Sequence, residues 1–283
     1  WQKRVLLGFL VISVILWGIW LIKSLVKGGP LRGAVEIAER PGLVELALAV
    51  ICLILLSLGL SWLFDGLLGS KELETALGAS LASLLSCGLV LGLLAWQNPG
   101  RLKSLGLGLA RCPGQLGWGL ITVLAVWPMA TIVLMPASFR LVEFVVKWGW
   151  GLSYTAQSHT LLRELGESAG PMSLWLTIAI AVIIAPLSEE IIFRGLLQGA
   201  LSRLYRWRWG AIVVSALIFS VFHLSVRENA ALGEASLAHV EKIPPLFFLG
   251  LVLGYAYEKS QSLYRPIWIH LGFNALSLML WLK

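Results

Sequence analysis

The chain has 283 residues, of which 58% are hydrophobic and only 13% charged, and its mean hydropathy is +0.84. These values exclude an ordinary soluble globular domain and predict an all-α polytopic membrane protein. The formal net charge of +7 comes from basic residues scattered through short connections, so it indicates membrane topology and contact with lipid headgroups rather than with nucleic acid.

Apolar segments along the chain predict about eight transmembrane helices. Several reach the roughly 20 residues that cross a bilayer, while two are short and one is long. The segments are Val5–Ile22, Val44–Phe64, Leu73–Trp96, Leu116–Met135, Met172–Leu204, Ala211–Leu224, Ile243–Tyr257 and Pro266–Leu282. We find no internal repeat and no connection long enough for a soluble domain, so residues 1–283 are predicted to form one membrane domain.

The first apolar segment follows Lys3 and Arg4, as the core of a signal peptide would. It has no small-residue cleavage site and its apolar run is too long, so we expect a retained helix. The chain opens on Trp1 rather than on methionine, which suggests a trimmed start.

The connection after the fourth segment, residues 136–170, contains Phe139–Trp150. Apolar residues alternate there with charged ones at helical spacing, which predicts an interfacial or re-entrant helix. Across the whole chain, basic residues show a weak bias toward one side. That bias favours a cytoplasmic turn at Arg203–Arg208 with both termini outside, in a bacterial inner or an organellar membrane.

Cysteine and tryptophan are both interpreted as structural. Cys52, Cys87 and Cys112 are far apart and show neither a disulfide framework nor metal-ligand spacing, so they are predicted to be small apolar fillers. Many tryptophans lie near the ends of predicted helices, as an interfacial belt requires. They are Trp17, Trp20, Trp96, Trp118, Trp148, Trp150, Trp207 and Trp268.

The long segment Met172–Leu204 is predicted to tilt, kink or protrude, because a helix of that length exceeds the bilayer thickness. Pro186 lacks an amide hydrogen and would leave the carbonyl of Val182 unpaired, about one turn before Glu189. A freed carbonyl within a membrane is tolerated beside protein or a water-filled cavity. The proline therefore supports a polar pocket at this point.

Three polar clusters interrupt the last third of this apolar chain. Ionisable groups inside membrane segments are costly and indicate function. Residues four apart share a helical face, whereas Glu189 is rotated about 100° from Glu190, so we expect Glu190 to pair with Arg194 and Glu189 to face a cavity. The clusters are Glu189, Glu190 and Arg194; Phe219 and His223; and His270 and Asn274.

Helix length places two of these clusters at one depth. Glu189 and His223 are each 14 residues from the turn at Arg203–Trp209, which is about 21 Å of helix, so an antiparallel hairpin would bring them together. His270 lies only about 6 Å from Pro266, and it reaches the same depth only if its helix starts deeper.

These residue types suit hydrolysis without a serine or cysteine nucleophile. A buried carboxylate such as Glu189 can act as general base on a water that an imidazole such as His223 helps to orient. His270 and Asn274 could donate hydrogen bonds to a developing oxyanion.

The motifs E-E-x-x-F-R, F-x-x-x-H and H-x-x-x-N, in this order, resemble those of the CPBP intramembrane proteases, also called the Abi or type II CAAX prenyl endopeptidase family. The resemblance covers about residues 170–282. It implies an eight-helix glutamic endopeptidase without a cofactor, which acts on lipidated or membrane-embedded peptides from a cavity among the late helices. By the same resemblance Glu189 and His223 activate water, His270 and Asn274 form the oxyanion site, and Glu190, Arg194 and Phe219 support them.

Three other functions stay open on the residues alone. Two glutamates and two histidines could bind zinc as in a metalloprotease, although neither H-E-x-x-H nor another familiar ligand spacing is present. Glu189, His223 and Arg194 could instead form a proton relay in a transporter. A catalytically silent relative could serve as scaffold or assembly factor of a membrane complex. His159 and His239 show no partner pattern and are predicted to be surface residues.

Overall fold

A computed structural model describes residues 2–27, 29–31, 40–67, 71–98, 100–108, 112–151, 154, 171–204, 207–226, 237–238 and 240–281. The described chain is helical except for turns and one antiparallel pair of two-residue strands, β1 (Ser225–Val226) and β2 (Leu237–Ala238). The prediction of an all-α membrane protein is therefore confirmed, with this small hairpin as an addition.

The described residues in the first half of the chain form six α-helices. They are α1 (Gln2–Val26), α2 (Leu43–Phe64), α3 (Lys71–Gln97), the short α4 (Gly100–Ser104), α5 (Cys112–Pro128) and α6 (Met135–Trp150). A π-helical turn, Met129–Leu134, joins α5 directly to α6.

The second half contains the bent helix, by which we mean residues 171–204. It consists of α7 (Pro171–Ala179), a π-helical turn (Ile180–Ile184), α8 (Ala185–Glu190), a second π-helical turn (Ile191–Leu197) and α9 (Gln198–Leu204). The remaining helices are α10 (Arg208–Phe222), a single 3₁₀ turn (Val240–Lys242), α11 (Ile243–Ser260) and α12 (Tyr264–Trp281).

All eight predicted apolar segments lie on helices. Among the described residues, five helices are long and apolar enough to cross a membrane: Arg4–Val26, Leu43–Phe64, Leu73–Gln97, Cys112–Trp150 and Leu174–Leu204. Arg208–Phe222 is a shorter apolar helix. The helix predicted at Phe139–Trp150 is present, but it continues the fourth segment through Pro136 without a break, and its interfacial or re-entrant position stays a prediction.

Pro136 and Pro186 lie within long helices, and each follows a π-helical turn. The N–H of Met135, before Pro136, bonds the carbonyl of Ala130, and the N–H of Ala185, before Pro186, bonds the carbonyl of Ile180. Each bond spans five residues rather than four. The wider turn makes room for a proline ring that would otherwise clash with the carbonyl four residues back. The predicted distortion at Pro186 thus takes the form of a π-turn just before Glu189.

The last helix begins inside the protein, which explains how His270 reaches the depth of the other polar residues. Ser262 and Leu263, in the turn before α12, are both 0% exposed. Gly106 lies against this turn, and a Cβ added to it would be 2.4 Å from the Cα of Ser262. Leu105 and Leu263 belong to one buried apolar cluster, so the start of α12 is packed below the protein surface.

Gly106 is the position where we expect a single methyl group to be most damaging to this packing. Its φ of +79° favours glycine, and the added Cβ would meet backbone atoms of Gln261 and Ser262. Gly106→Ala should lower the free energy of unfolding by about 2–4 kcal/mol, combining left-handed strain with overpacking. Thermal unfolding in detergent would measure the loss.

Gly66 provides the matched control. Its φ is +78°, but nothing lies within 4 Å of an added Cβ. Gly66→Ala should therefore show the backbone cost alone, about 1–2 kcal/mol. Equal losses for the two variants would contradict the tight packing of Gly106.

Among the cysteines and tryptophans that the sequence predicts to be structural, Cys87 is buried and two tryptophans contact other helices. Cys52, Cys87 and Cys112 are all free thiols. Trp17 and Trp20 were predicted to anchor at the interface, but the indole N–H of Trp17 donates to the carbonyl of Ala125 and that of Trp20 to the hydroxyl of Tyr255. These two side chains therefore tie α1 to α5 and α11.

Candidate active site

Glu189 faces two imidazole rings from different helices. Its Oε2 is 3.7 Å from Nε2 of His223, at the end of α10, and 3.9 Å from Nε2 of His270, on α12. Both distances exceed that of a direct hydrogen bond. Oε2 is buried and has no hydrogen-bond partner among the described residues, although the Glu189 side chain as a whole is 21% exposed. One carboxylate oxygen is thus aimed between two ring nitrogens.

His223 is held with its Nε2 toward Glu189. Its Nδ1 lies 2.8 Å from the carbonyl oxygen of Phe219, one turn earlier. Because a carbonyl only accepts, Nδ1 carries the proton, and Nε2 of the neutral ring is an acceptor. The side chain is 29% exposed, which makes it the most accessible member of this group of three.

His270 is held from the opposite side by Glu190. Its Nδ1 is 2.8 Å from Glu190 Oε1, and the same oxygen accepts a bond from Arg194 at 3.0 Å. Glu190 and Arg194 are both 0% exposed. The two adjacent glutamates have different partners because their side chains are rotated by about 100° on the helix. Glu190 bonds Arg194 and His270, and Glu189 faces the Nε2 atoms of the two histidines.

Besides Glu190, Arg194 contacts a backbone carbonyl on α11 and an aromatic ring on α10. One guanidinium N–H donates to the carbonyl of Gly250 on α11 at 3.3 Å, and the guanidinium carbon lies 4.5 Å from the centre of the Phe219 ring. Phe219 also packs edge-on against His270, with ring centres 5.8 Å apart. The arginine and the aromatic ring therefore fix the positions of both histidine-bearing helices relative to the bent helix.

Asn274 does not contact Glu189 or the histidines through any described hydrogen bond. Its Nδ2 donates to the carbonyl of Ala181 at 2.8 Å, inside the first π-turn of the bent helix. The carbonyl without a main-chain donor is therefore that of Ala181, one residue before the Val182 carbonyl that the sequence predicted, because the π-turn shifts the main-chain register by one.

A polar ladder continues from the site along the bent helix toward its end. Gln198, one turn after Arg194, donates to the carbonyl of Gly254 and to Glu258, both on α11, at 3.2 Å each. Glu258 is 0% exposed and forms a bidentate ion pair with Arg40, at 2.6 and 2.9 Å. The ladder ties the supporting end of the site to the segment that precedes α2.

Sequence reasoning missed the backbone carbonyls of Gly250 and Ala181, for which a sequence carries no direct signal. It also missed Gln198 and Glu258, although Glu190, Arg194 and Gln198 recur every four residues on one helical face and could have indicated the ladder. His159 and His239 lie outside the described residues. Within the described part of the chain, no three His, Cys, Asp or Glu side chains form a group that could hold a metal ion.

Comparison with known proteins gives an independent view of this region. Residues 171–276 match the family model described as type II CAAX prenyl endopeptidase Rce1-like. An uncharacterized 24.3 kDa protein of Escherichia coli is 29% identical over 105 residues, which is 37% of this chain and 43% of that relative. The chain thus aligns with less than half of the length of the curated relative it matches. No solved structure matches the chain.

The matched region begins at the first residue of α7 and ends in α12, so it contains the bent helix and both histidine-bearing helices. All the residues that the motifs singled out lie within it. Residues 171–276 of this integral membrane protein therefore match the model of the Rce1-like family, which is the CAAX-protease family that the sequence motifs resemble.

Proposed function

We propose that this protein is an intramembrane endopeptidase that hydrolyses a peptide bond with a water activated by Glu189. The observation that carries the proposal is the buried, unpartnered Oε2 of Glu189, which lies 3.7 and 3.9 Å from the Nε2 atoms of two histidines. The match of residues 171–276 to the Rce1-like family model supports the reaction class. Neither a metal nor another cofactor has a part in the proposed mechanism.

The spacing of these three atoms suits a single water molecule. Polar atoms separated by more than 3.5 Å are commonly bridged by water. A water near all three could donate one hydrogen to Glu189 Oε2 and the other to His223 Nε2, which is the acceptor nitrogen of that ring. Its lone pair would then be free to attack a carbonyl carbon of the substrate.

His270 is the proposed donor to the oxyanion that forms in this attack. Its Nδ1 is committed to Glu190, so donation from Nε2 requires the doubly protonated ring. In that form the ring would lie between the carboxylates of Glu189 and Glu190. Asn274, which the resemblance implies as a second donor, has its Nδ2 bonded to the carbonyl of Ala181 at 2.8 Å, and we propose no direct part for it in the oxyanion site.

The protons balance in this scheme. Glu189 takes one proton from water as the oxygen bonds to the carbonyl carbon, and the carbonyl becomes an oxyanion. When the carbon–nitrogen bond breaks, Glu189 returns that proton to the leaving amine. The enzyme thus regains its initial state without a covalent intermediate.

The proposed substrates are prenylated or membrane-embedded peptides in a bacterial inner or an organellar membrane. The bent helix is long and apolar enough over Leu174–Leu204 to cross a membrane, so the site lies within an apolar segment that lipidated or apolar chains can reach through the bilayer. The family described for residues 171–276 is one of prenyl endopeptidases, which supports this substrate class.

Purified protein in detergent should be offered three peptides: a farnesylated CaaX peptide, the same peptide unmodified, and a membrane-spanning peptide. We expect cleavage of at least one lipid-linked or membrane peptide, at a rate that a chelator does not change. Mass spectrometry would locate the cut. Failure to cut any of them, under conditions where a CAAX protease of the same family is active, would contradict the proposal. Loss of cleavage with chelator and recovery with zinc would instead favour a metalloprotease.

A further inference from the structure

We propose that Asn274 is a positioning residue: it supplies the hydrogen bond that Pro186 cannot give to the carbonyl of Ala181, and so holds the bent helix, with Glu189, in place. The hydrogen bond itself is a feature of the fold. Its effect on catalysis rests on the proposed function, and the test below separates the two.

The main chain leaves the Ala181 carbonyl without a donor. In an α-helix its partner would be the N–H of Ala185, but that group bonds the carbonyl of Ile180 in the π-turn. In the wider register the partner would be residue 186, which is proline and has no N–H. A carbonyl left unpaired within a membrane protein costs several kcal/mol unless another group satisfies it.

The side chain of Asn274, on another helix, provides the missing donor to this carbonyl. Its Nδ2 is 2.8 Å from the Ala181 oxygen, although the two residues are 93 positions apart in the chain. Asn274 is one turn after His270 on the same face of α12. The helix that presents His270 to Glu189 is thereby also bonded to the turn from which α8 carries Glu189.

The turn at the second proline serves as a comparison for this contact. Pro136 follows the π-turn Met129–Leu134 in the same way, and the N–H of Met135 bonds the carbonyl of Ala130. No described side-chain hydrogen bond reaches Thr131, the residue equivalent to Ala181; its own hydroxyl donates to the carbonyl of Trp127. The asparagine contact is therefore particular to the turn beside the site.

The test is a double-mutant cycle between Asn274→Ala and Pro186→Ala. Alanine at 186 restores an N–H that can bond the Ala181 carbonyl, so the asparagine becomes dispensable for it. Thermal unfolding is measured for all four proteins, and kcat and KM are measured with whichever peptide the wild type cleaves. We expect Asn274→Ala to lower Tm by about 4 °C or more and kcat by about tenfold or more with little change in KM. In the Pro186→Ala background both losses should shrink by at least half.

Pro136→Ala is the matched control. It removes the proline after the other π-turn but gives the carbonyl of Ala181 no new N–H donor. The losses caused by Asn274→Ala should be unchanged in that background. If Asn274→Ala alone does not fold, we expect the double variant with Pro186→Ala to fold. That rescue would support the same hydrogen bond as a recovery of Tm would.

Undiminished loss of Tm in the Pro186→Ala background would overturn the hydrogen-bond assignment. Recovery of Tm without recovery of kcat would overturn the positioning role and leave Asn274 as a direct donor. If the wild type cleaves no peptide, the proposed function fails, but the Tm cycle still decides whether Asn274 serves the Ala181 carbonyl.

Discussion

Glu189→Gln should lower kcat about 10²–10⁴-fold while changing Tm by no more than about 2 °C. Glutamine has nearly the same shape as glutamate but cannot take a proton from water. Glu189 Oε2 has no hydrogen-bond partner among the described residues, so little stability depends on its charge. Initial rates with a cleavable peptide and thermal unfolding of the same preparation would measure both quantities.

Glu143→Gln provides the matched control. Glu143 is an exposed glutamate on α6, outside the group of Glu189, His223 and His270. The same chemical change there should leave kcat within about twofold of the wild type. Full activity in Glu189→Gln would contradict the role of general base, and a large loss of Tm would show that Glu189 has a structural role instead.

Sequence patterns could predict the helices and the pairing of Glu189 with His223. Each residue is 14 positions from the turn between its helices, and equal lengths of helix from a tight turn bring two side chains to one depth. The rotation between adjacent residues likewise predicted that Glu190 would pair with Arg194, as the 3.0 Å contact confirms. Both predictions depend on local helix geometry, and packing between helices did not change that geometry.

The sequence could not predict the features that depend on packing between distant segments. His270 is only six residues from the start of α12, and its depth depends on Ser262 and Leu263 being buried against Gly106. The acceptor of the Asn274 side chain is set by a π-turn. A proline in the sequence indicates that a helix is distorted but does not specify the form of the distortion.

The pair of Glu190 and Arg194 should show the largest effect on stability. Both side chains are 0% exposed, and Glu190 also accepts from His270. Arg194→Met removes the guanidinium and leaves a buried carboxylate uncompensated. Glu190→Gln neutralises the carboxylate and leaves a buried guanidinium uncompensated. Breaking a buried pair typically costs about 3–5 kcal/mol, so we expect each single variant to lose about that much free energy of unfolding.

The double variant Glu190→Gln with Arg194→Met should recover most of this loss, because no uncompensated charge remains from the pair. Arg101→Met is a control for a pair that is only partly buried. Arg101 lies 2.7 Å from Glu45, but the side chains are 18% and 16% exposed and Arg101 also bonds Gln97, so we expect a cost of about 1 kcal/mol. Additive losses in the double variant would contradict the buried pair. A stable double variant that still cleaves slowly would show that Glu190 supports catalysis through His270, beyond its contribution to folding.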